Sequence, residues 1–282
     1  MDTGSVPAEP RAEQTEPNAV WRLLDESHAD PYMNMAIEEA VMRAVGEGLV
    51  PPTLRLWQNH NAVIVGHFQD TAKEVDLEAC TRSGTAVVRR ISGGGAVYHD
   101  RGNLNYALSI PLDDPHVPEE ILASYRYYCG GVITALERLG LHAEYAPIND
   151  IVVGGRKVSG TAQARRWRAV LHHGTLLLTL DIETMARVLR VNKAHLESKG
   201  VSDVRQRVAT LEQLGRPCPL EEAKAALVEG FAQVLGVRFS PEGLREPETS
   251  LARQLYEEKY RQREWNLEPP AHEGGKGHLA AV

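Results

Sequence analysis

The stretch RRISGGGAVYHDRGNLNYALSI, residues 89–110, decides how the rest of the chain is interpreted. It contains three consecutive glycines, Gly93, Gly94 and Gly95, between apolar runs at residues 86–88 and 104–110 that predict β-strands. A hairpin turn with a bulge would explain such glycines by itself. However, consecutive glycine N–H groups can also form a concavity that binds anions, and Arg90 and Ser92 lie just before them. The stretch therefore predicts a site for a ligand that carries a phosphate or a carboxylate.

The composition of the whole chain limits the classes of function that it can have. Its 282 residues are 43% hydrophobic, which suffices for a buried core, and the net charge of -7 argues against sequence-independent nucleic-acid binding. The three cysteines, Cys80, Cys129 and Cys218, have the spacing of neither a metal motif nor a disulfide framework, which fits a reducing cytoplasm. The sequence contains neither a signal pattern at its N-terminus nor an apolar run of membrane-spanning length, so we expect no membrane partner.

The periodicity of apolar residues predicts a mixed succession of strands and helices. Residues 1–18 are poor in apolar side chains and predict a disordered leader, and residues 268–282 predict a disordered tail. Between them we expect strands at 20–24, 53–58, 62–66 and 169–180, the second and third joined by the turn-prone residues 59–61. We expect helices at 33–46, 118–139, 181–189, 219–235 and 250–260, and a polar, mobile connection at 198–211.

Single residues inside these elements carry further expectations. Gly130 and Gly131 lie within the helix at 118–139, where each costs about 1 kcal/mol relative to alanine, so a close neighbour is expected there. Cys129 lies on the apolar stripe of the same helix and predicts an inert core thiol. Arg55 and Trp57, on the strand at 53–58, either line a site or lie along an exposed strand.

A second chemical region is NDIVVGGRKVSGTA, residues 149–162, which predicts a hairpin with two glycines at its turn. Lys157 begins the second arm, and residues 156–168 contain five basic residues and no acidic one. On an acidic protein this patch suits an anionic ligand or an acidic partner surface, although a solvated charge run explains its last three arginines equally well. In the next strand, at most one of His172 and His173 can face a site, because adjacent strand residues point to opposite faces. A packing role for either histidine is the simpler interpretation.

The chain lacks the short motifs of several common nucleotide and acyl enzymes. It contains no GxxxxGK[ST] phosphate loop, no GxGxxG after a strand, no GxSxG nucleophile elbow and no HExxH. Nucleotide or acyl chemistry would therefore use another scaffold.

Three stretches, RRISGGGAVYHDRGNLNYALSI, NDIVVGGRKVSGTAQ and HHGTLL, in this order and spacing closely resemble the lipoate–protein ligase A family. The similarity extends from about Trp21 to Trp265, and the family belongs to the biotin/lipoate ligase catalytic-domain superfamily. The resemblance implies one α+β catalytic domain at residues 19–267, with a central mixed, largely antiparallel sheet flanked by helices. It also implies that ATP and Mg²⁺ activate lipoate to lipoyl-AMP. The lipoyl group then passes to a lysine of a lipoyl carrier domain, on 2-oxoacid dehydrogenase E2 subunits or the glycine cleavage H protein.

The same resemblance implies roles for individual residues. Lys157 would be the catalytic lysine that contacts the carboxyl and phosphate oxygens, Arg90 would neutralise the phosphate, and Asp150 would help to place Mg²⁺. Val63 would join Val97 and Ala162 in an apolar trough for the lipoyl chain. The other residues implied to contact the substrate or adenylate are Ser92, Gly93, Gly94, Gly95, Val97, His99, Asn103, Asn149, Gly160, Thr161 and Ala162.

Three alternatives concern the reaction rather than the family. Many members carry an additional small C-terminal domain for adenylation, and this chain ends soon after Trp265, so we expect a separate accessory protein that docks near residues 199–207. Acyltransferase relatives place a nucleophilic cysteine in the loop before the lysine hairpin, and residues 142–149 contain none. A non-catalytic protein that binds lipoyl-AMP is the third interpretation. An apolar trough discriminates weakly between similar chains, so lipoyl and octanoyl groups are both compatible with the sequence.

Overall fold

The computed structural model describes residues 19–190 and 204–268. The expected leader at residues 1–18 and the expected tail beyond Glu268 lie outside the described residues. The same is true of Lys199 and of the first part, residues 198–203, of the polar connection at 198–211.

The described residues form two β-sheets. In chain order the strands are β1 Val20–Asp25, β2 Thr53–Trp57, β3 Asn61–Val65, β4 Ala86–Arg89, β5 Val97–Asp100, β6 Asn103–Pro111, β7 Ala143–Ala146, β8 Asp150–Val153, β9 Arg156–Arg166, β10 Ala169–Leu177 and β11 Arg238–Pro241. The large sheet has the order β11-β1-β2-β6-β10-β9-β8-β7, and the small sheet has the order β4-β3-β5. In the large sheet β1 pairs in parallel with β11 and β2, and the remaining pairs are antiparallel. The expected α+β fold with a mixed, largely antiparallel sheet is confirmed.

The helices of the described residues lie on the faces of these sheets. They are α1 Pro31–Gly46, α2 Thr71–Glu74, α3 Leu77–Ser83, α4 Ile121–Arg138, α5 Ile182–Val188, α6 Val204–Arg207, α7 Leu220–Leu235, α8 Glu246–Leu255 and α9 Arg263–Leu267. A π-helical turn, Tyr256–Tyr260, follows α8. Helix α1 begins at Pro31, two residues before the expected start, because the Asp30 side chain accepts a hydrogen bond from the Tyr32 N–H and Pro31 occupies the first turn. Within the described ranges no helix is long and apolar enough to cross a membrane.

The structure corrects the expected arrangement of strands in two places. Strands β2 and β3 are not a hairpin: β2 pairs with β6 in the large sheet, and β3 pairs with β4 and β5 in the small sheet. Strand β10 ends at Leu177 rather than at residue 180, because the N–H groups of Leu178 and Thr179 both donate to the Gly102 carbonyl.

The packing of α4 on α7 explains the glycine pair in the middle of α4. A Cβ atom on Gly131 would collide with the Phe231 ring, and one on Gly230 would collide with the Gly131 carbonyl oxygen. The two helices therefore approach closely only because these positions are glycines, which confirms the close neighbour expected from the sequence. Helices α4 and α7 cover one face of the large sheet, and α1 packs against α8 and against strands β6 and β10.

Candidate active site

A cavity of about 600 Å³ lies between the glycine stretch and strands β8 and β9. Most of the residues implicated from the sequence line it, namely Arg90, Gly94, Gly95, Val97, His99, Asn149, Asp150, Lys157, Gly160, Thr161 and Ala162. Residues that are about 50 positions or more apart in the sequence are therefore brought together around one space. A cavity of this volume is large enough for a small-molecule ligand.

Three expected substrate contacts do not line the cavity. Ser92 is buried behind it, Gly93 turns its carbonyl oxygen toward Arg90, and the Asn103 amide donates to Asn105 Oδ1. Asn105, two residues further along the same face of β6, lines the cavity instead.

The apolar part of the cavity also differs from the expectation. Val63 packs into the core of the small sheet, and its neighbour Ile64 lines the cavity because alternate residues of β3 point to opposite faces. Met35 and Trp57 also line it, and for Trp57 this is one of the two roles expected from the sequence. Arg55 takes neither of its two expected roles, since it is buried and donates to the Asn34 backbone and side chain.

Lys157 and Asp150 form an ion pair inside the cavity. The Lys157 Nζ lies 2.6 Å from Asp150 Oδ1, and Arg207 Nη2 lies 2.8 Å from Asp150 Oδ2. Gly160 makes room for the lysine, since a Cβ atom there would lie 2.5 Å from Lys157 Cε. The backbone of Lys157 is fixed as well, because its carbonyl accepts a hydrogen bond from the Ala209 N–H. The Lys157 side chain is therefore held in one orientation by the Asp150 counter-ion and by the space that Gly160 leaves on β9.

The two cations determine the protonation state of Asp150. Burial by itself would raise the pKa of this carboxyl group, but attraction to Lys157 and hydrogen bonds from Lys157 and Arg207 outweigh it, so the pKa lies below its ordinary value. Asp150 is therefore an anion that holds two cations at the cavity wall.

This arrangement bears on the magnesium ion predicted at Asp150. Both carboxylate oxygens already contact cations, and the described residues contain no group of three or more His, Cys, Asp or Glu side chains that could hold a metal ion. These residues do not fit a magnesium ion held by the protein itself, and magnesium at Asp150 stays a prediction of the sequence.

The glycine stretch is organised by Arg90. Its guanidinium donates to the carbonyl oxygens of Gly93 at 2.6 Å and Gly95 at 2.9 Å, and Gly94 has φ +86°, in the left-handed region that favours glycine. In the described ranges the N–H groups of these three glycines donate to no acceptor. The carbonyls are thus turned inward by an arginine, and the N–H groups remain available to an anion. Burial lowers the pKa of Arg90 to about 10, so the group stays charged at neutral pH.

The histidine pair divides as strand geometry requires. His173 lines the cavity, whereas His172 is buried on the opposite face of β10, where its ring lies 5.1 Å from the Tyr128 ring. Burial lowers the pKa of His172 to about 3. His99 also lines the cavity; its Nδ1 lies 3.1 Å from the Asn59 amide nitrogen, and its buried Nε2 has no partner within the described residues.

None of the three cysteines lines the cavity. Cys80, Cys129 and Cys218 are all buried, and the Cys129 Sγ lies 3.9 Å from Thr161 Oγ1, behind the cavity wall. Burial raises the pKa of Cys80 to about 11 and that of Cys129 to about 12. These thiols are therefore not thiolates at neutral pH.

Comparison with known proteins gives one consistent family. Residues 30–232 match the family described as lipoyl protein ligase A/B catalytic domain. The octanoyltransferase LipM of Brevibacillus brevis is 32% identical over 272 residues, which cover 88% of this chain and 98% of that protein. The lipoate-protein ligase A subunit 1 of Thermoplasma acidophilum is 34% identical over 255 residues, 87% of this chain and 95% of that protein. A solved structure of a bi-partite lipoate protein ligase and its E2 lipoyl domain from T. acidophilum has a TM-score of 0.82 at 32% identity, covering 92% of this chain and 100% of that chain.

Proposed function

The chain belongs to the lipoyl protein ligase A/B catalytic-domain family, and from this premise we propose that it is a lipoate–protein ligase. In this function it activates lipoate with ATP to lipoyl-AMP and transfers the lipoyl group to a lysine of a lipoyl carrier domain. The observation that carries the proposal is the composition of the cavity. It contains Lys157 and the glycine stretch, whereas every cysteine of the chain lies elsewhere.

The reaction needs activation because a carboxylate is a poor acyl donor. An oxygen of the lipoate carboxylate attacks the α-phosphorus of ATP, a P–O bond forms, and pyrophosphate leaves. The neutral amine of the carrier lysine then attacks the acyl carbon, the C–O bond to AMP breaks, and the amine nitrogen loses a proton as the amide forms. Both steps build up negative charge on oxygen atoms, and preorganised positive groups lower the barrier.

Lys157 supplies this charge in the proposal. Its ammonium group is already held inside the cavity by Asp150, so little reorganisation is required when the ligand enters. The unpaired N–H groups of Gly94 and Gly95 line the same cavity and suit the phosphate of the adenylate. Arg90, whose guanidinium also binds the carbonyls of Gly93 and Gly95, contributes its charge to neutralise the phosphate.

The carrier and a possible accessory protein follow from the relatives. The T. acidophilum structure contains a bi-partite ligase with an E2 lipoyl domain, and the related subunit 1 covers almost the same length as this chain. We therefore propose lipoyl domains as acceptors and a separate protein that assists adenylation. The isolated chain is expected to transfer from preformed lipoyl-AMP but to form lipoyl-AMP slowly without that partner.

The test compares three donors with one apo lipoyl domain as acceptor. The purified chain is given lipoate with ATP, preformed lipoyl-AMP, or an octanoylated carrier without ATP, and the acceptor is analysed by intact mass. Lipoylation from lipoate and ATP in the presence of the accessory protein supports the ligase, and so does lipoylation from preformed lipoyl-AMP. An alkylated sample and a Cys129→Ala variant are the controls, and both should retain activity because no thiol lines the cavity.

The second candidate is octanoyl transfer between carriers, which the LipM relative favours. In the described residues such a reaction would lack an exposed thiol to hold the acyl group. Rapid transfer from the octanoylated carrier without ATP, together with failure of lipoyl-AMP as a donor, would establish this candidate and overturn the ligase.

A further inference from the structure

A buried chain of hydrogen bonds connects helix α1 to the glycine stretch. Glu38 Oε1 on α1 lies 2.8 Å from His173 Nδ1. His173 Nε2 lies 2.6 Å from Ser92 Oγ, which in turn accepts from Arg90 Nε at 3.0 Å. Each of these four residues is at most 8% exposed, so the chain of hydrogen bonds is buried. It ends at the guanidinium that holds the carbonyls of Gly93 and Gly95.

With a neutral His173 imidazole, the direction of every hydrogen bond in this chain follows from its two ends. Arginine can only donate and a carboxylate can only accept. Arg90 Nε–H donates to Ser92, the Ser92 hydroxyl donates to His173 Nε2, and His173 Nδ1–H donates to Glu38. With a neutral imidazole, Ser92 and His173 each donate once and accept once, so the carboxylate determines the orientation of every group up to Arg90.

The order of serine, histidine and carboxylate is also that of a catalytic triad, but the position of Ser92 does not suit a nucleophile. Ser92 is 1% exposed and does not line the cavity, and its oxygen already accepts from Arg90. The chain therefore orients other groups and does not attack a substrate itself.

We propose that Glu38, which does not line the cavity, is a positioning residue that acts through His173, Ser92 and Arg90 to fix the glycine N–H groups that bind the adenylate phosphate. This inference rests on the proposed function. A neutral amide at position 38 can donate as well as accept, so the tautomer of His173 is no longer fixed, and Ser92 and Arg90 are then free to turn. The carbonyls of Gly93 and Gly95 are no longer held, so the N–H groups lose their common direction.

The next residue along the helix is a matched control. Glu39 is also fully buried, but it binds Arg43, Lys259 and Tyr260 on the side of the C-terminal segment. Glu38→Gln and Glu39→Gln make the same change in neighbouring buried carboxylates. Only Glu38 is connected to the glycines by the chain of hydrogen bonds described above.

The experiment measures binding of a non-hydrolysable sulfamoyl analogue of lipoyl-AMP by calorimetry, together with the melting temperature of each variant. We expect Glu38→Gln to weaken binding roughly tenfold or more, since a hydrogen bond to a buried charge is replaced by one to a neutral amide that does not fix its direction. Glu39→Gln should bind the analogue with the affinity of the parent protein, even though its melting temperature is lower. The double variant Glu38→Gln with Ser92→Ala should bind no more weakly than the weaker single variant, because both changes interrupt the same chain.

Equal affinity of the Glu38→Gln and Glu39→Gln proteins would overturn the inference, and so would additive losses in the double variant. If Glu38→Gln does not fold, unchanged affinity in Ser92→Ala overturns the inference by itself. Failure of the parent protein to bind the analogue would instead contradict the proposed function.

Discussion

Replacing Lys157 with alanine is expected to slow transfer from lipoyl-AMP by about 10²–10³, the usual cost of removing one preorganised oxyanion donor. This factor corresponds to about 3–4 kcal/mol of transition-state stabilisation. The loss follows from the geometry of the cavity, in which the Lys157 ammonium is held 2.6 Å from Asp150 and directly over Gly160. Alanine leaves no positive group at that point of strand β9.

The same change should cost the fold little. The Lys157 side chain is 21% exposed, and Asp150 keeps its second cation, Arg207, at 2.8 Å. The carboxylate is therefore not left unpaired, and we expect a loss of about 1 kcal/mol or less in the free energy of unfolding.

The assay is a single turnover from preformed lipoyl-AMP to an apo lipoyl domain, followed by intact mass, with circular dichroism to confirm folding. The control is Arg156→Ala, which removes the neighbouring positive charge of β9 that does not line the cavity. Transfer by Lys157→Ala at nearly the parent rate, or an equal loss in both variants, would refute the assignment of Lys157.

Three further outcomes are expected. Gly160→Ala should push aside the flexible end of Lys157 and slow transfer with little change in melting temperature, and an unchanged single-turnover rate would contradict this. Gly94→Val should weaken adenylate binding in calorimetry, since a β-branched residue does not adopt φ +86°; unchanged affinity in a folded variant would make the glycine stretch merely a turn. Burial lowers the pKa of His99 and His172 to about 3, while the unfolded chain titrates near 6.5. As the pH falls below 6.5, the unfolded state therefore binds protons before the folded state does. The free energy of unfolding should decrease by roughly 2 kcal/mol for each histidine at pH 5, which a lower urea midpoint would show. The decline should shrink in His172→Gln, and an equal midpoint at pH 7.5 and pH 5 would show that these histidines are not buried neutral.

The sequence could predict those parts of the site that are contiguous in the chain. Lys157 and Gly160 lie on one hairpin arm, and Gly94 and Gly95 lie in one glycine stretch, so short motifs were sufficient to find them. The fold class was predictable for a similar reason, because the long elements such as α1 have clear periodicity and a capping residue.

The sequence could not predict Ile64 and Asn105, which reach the cavity through the pairing and register of their strands. For Trp57 it left a site and an exposed strand open, because the position of Trp57 on the cavity depends on the pairing of β2 with β6 rather than with β3. Strand β5 has four residues, which is too short for periodicity to reveal it, so the place of His99 came from the family resemblance alone. Ser92 and Gly93 were predicted to contact the ligand together with Gly94. In the structure the Ser92 hydroxyl contacts His173 and the Gly93 carbonyl accepts from Arg90, and the sequence does not determine these directions.

The distinction between a ligase and a cysteine-dependent transferase reduces to the position of one thiol. The Cys129 thiol lies behind the cavity wall, with its Sγ 3.9 Å from Oγ1 of the lining residue Thr161. An acyl-carrying cysteine must be a thiolate and must be accessible, whereas burial raises the pKa of Cys129 to about 12 and leaves it 0% exposed. Moving this thiol to the substrate would require strand β9 to open between α4 and the cavity, at the cost of the core that α4 and β9 share. In the proposed ligase, activation of the acyl group without such a movement comes from a leaving group on the substrate itself, and we propose AMP as the leaving group that Lys157 and the glycine N–H groups hold.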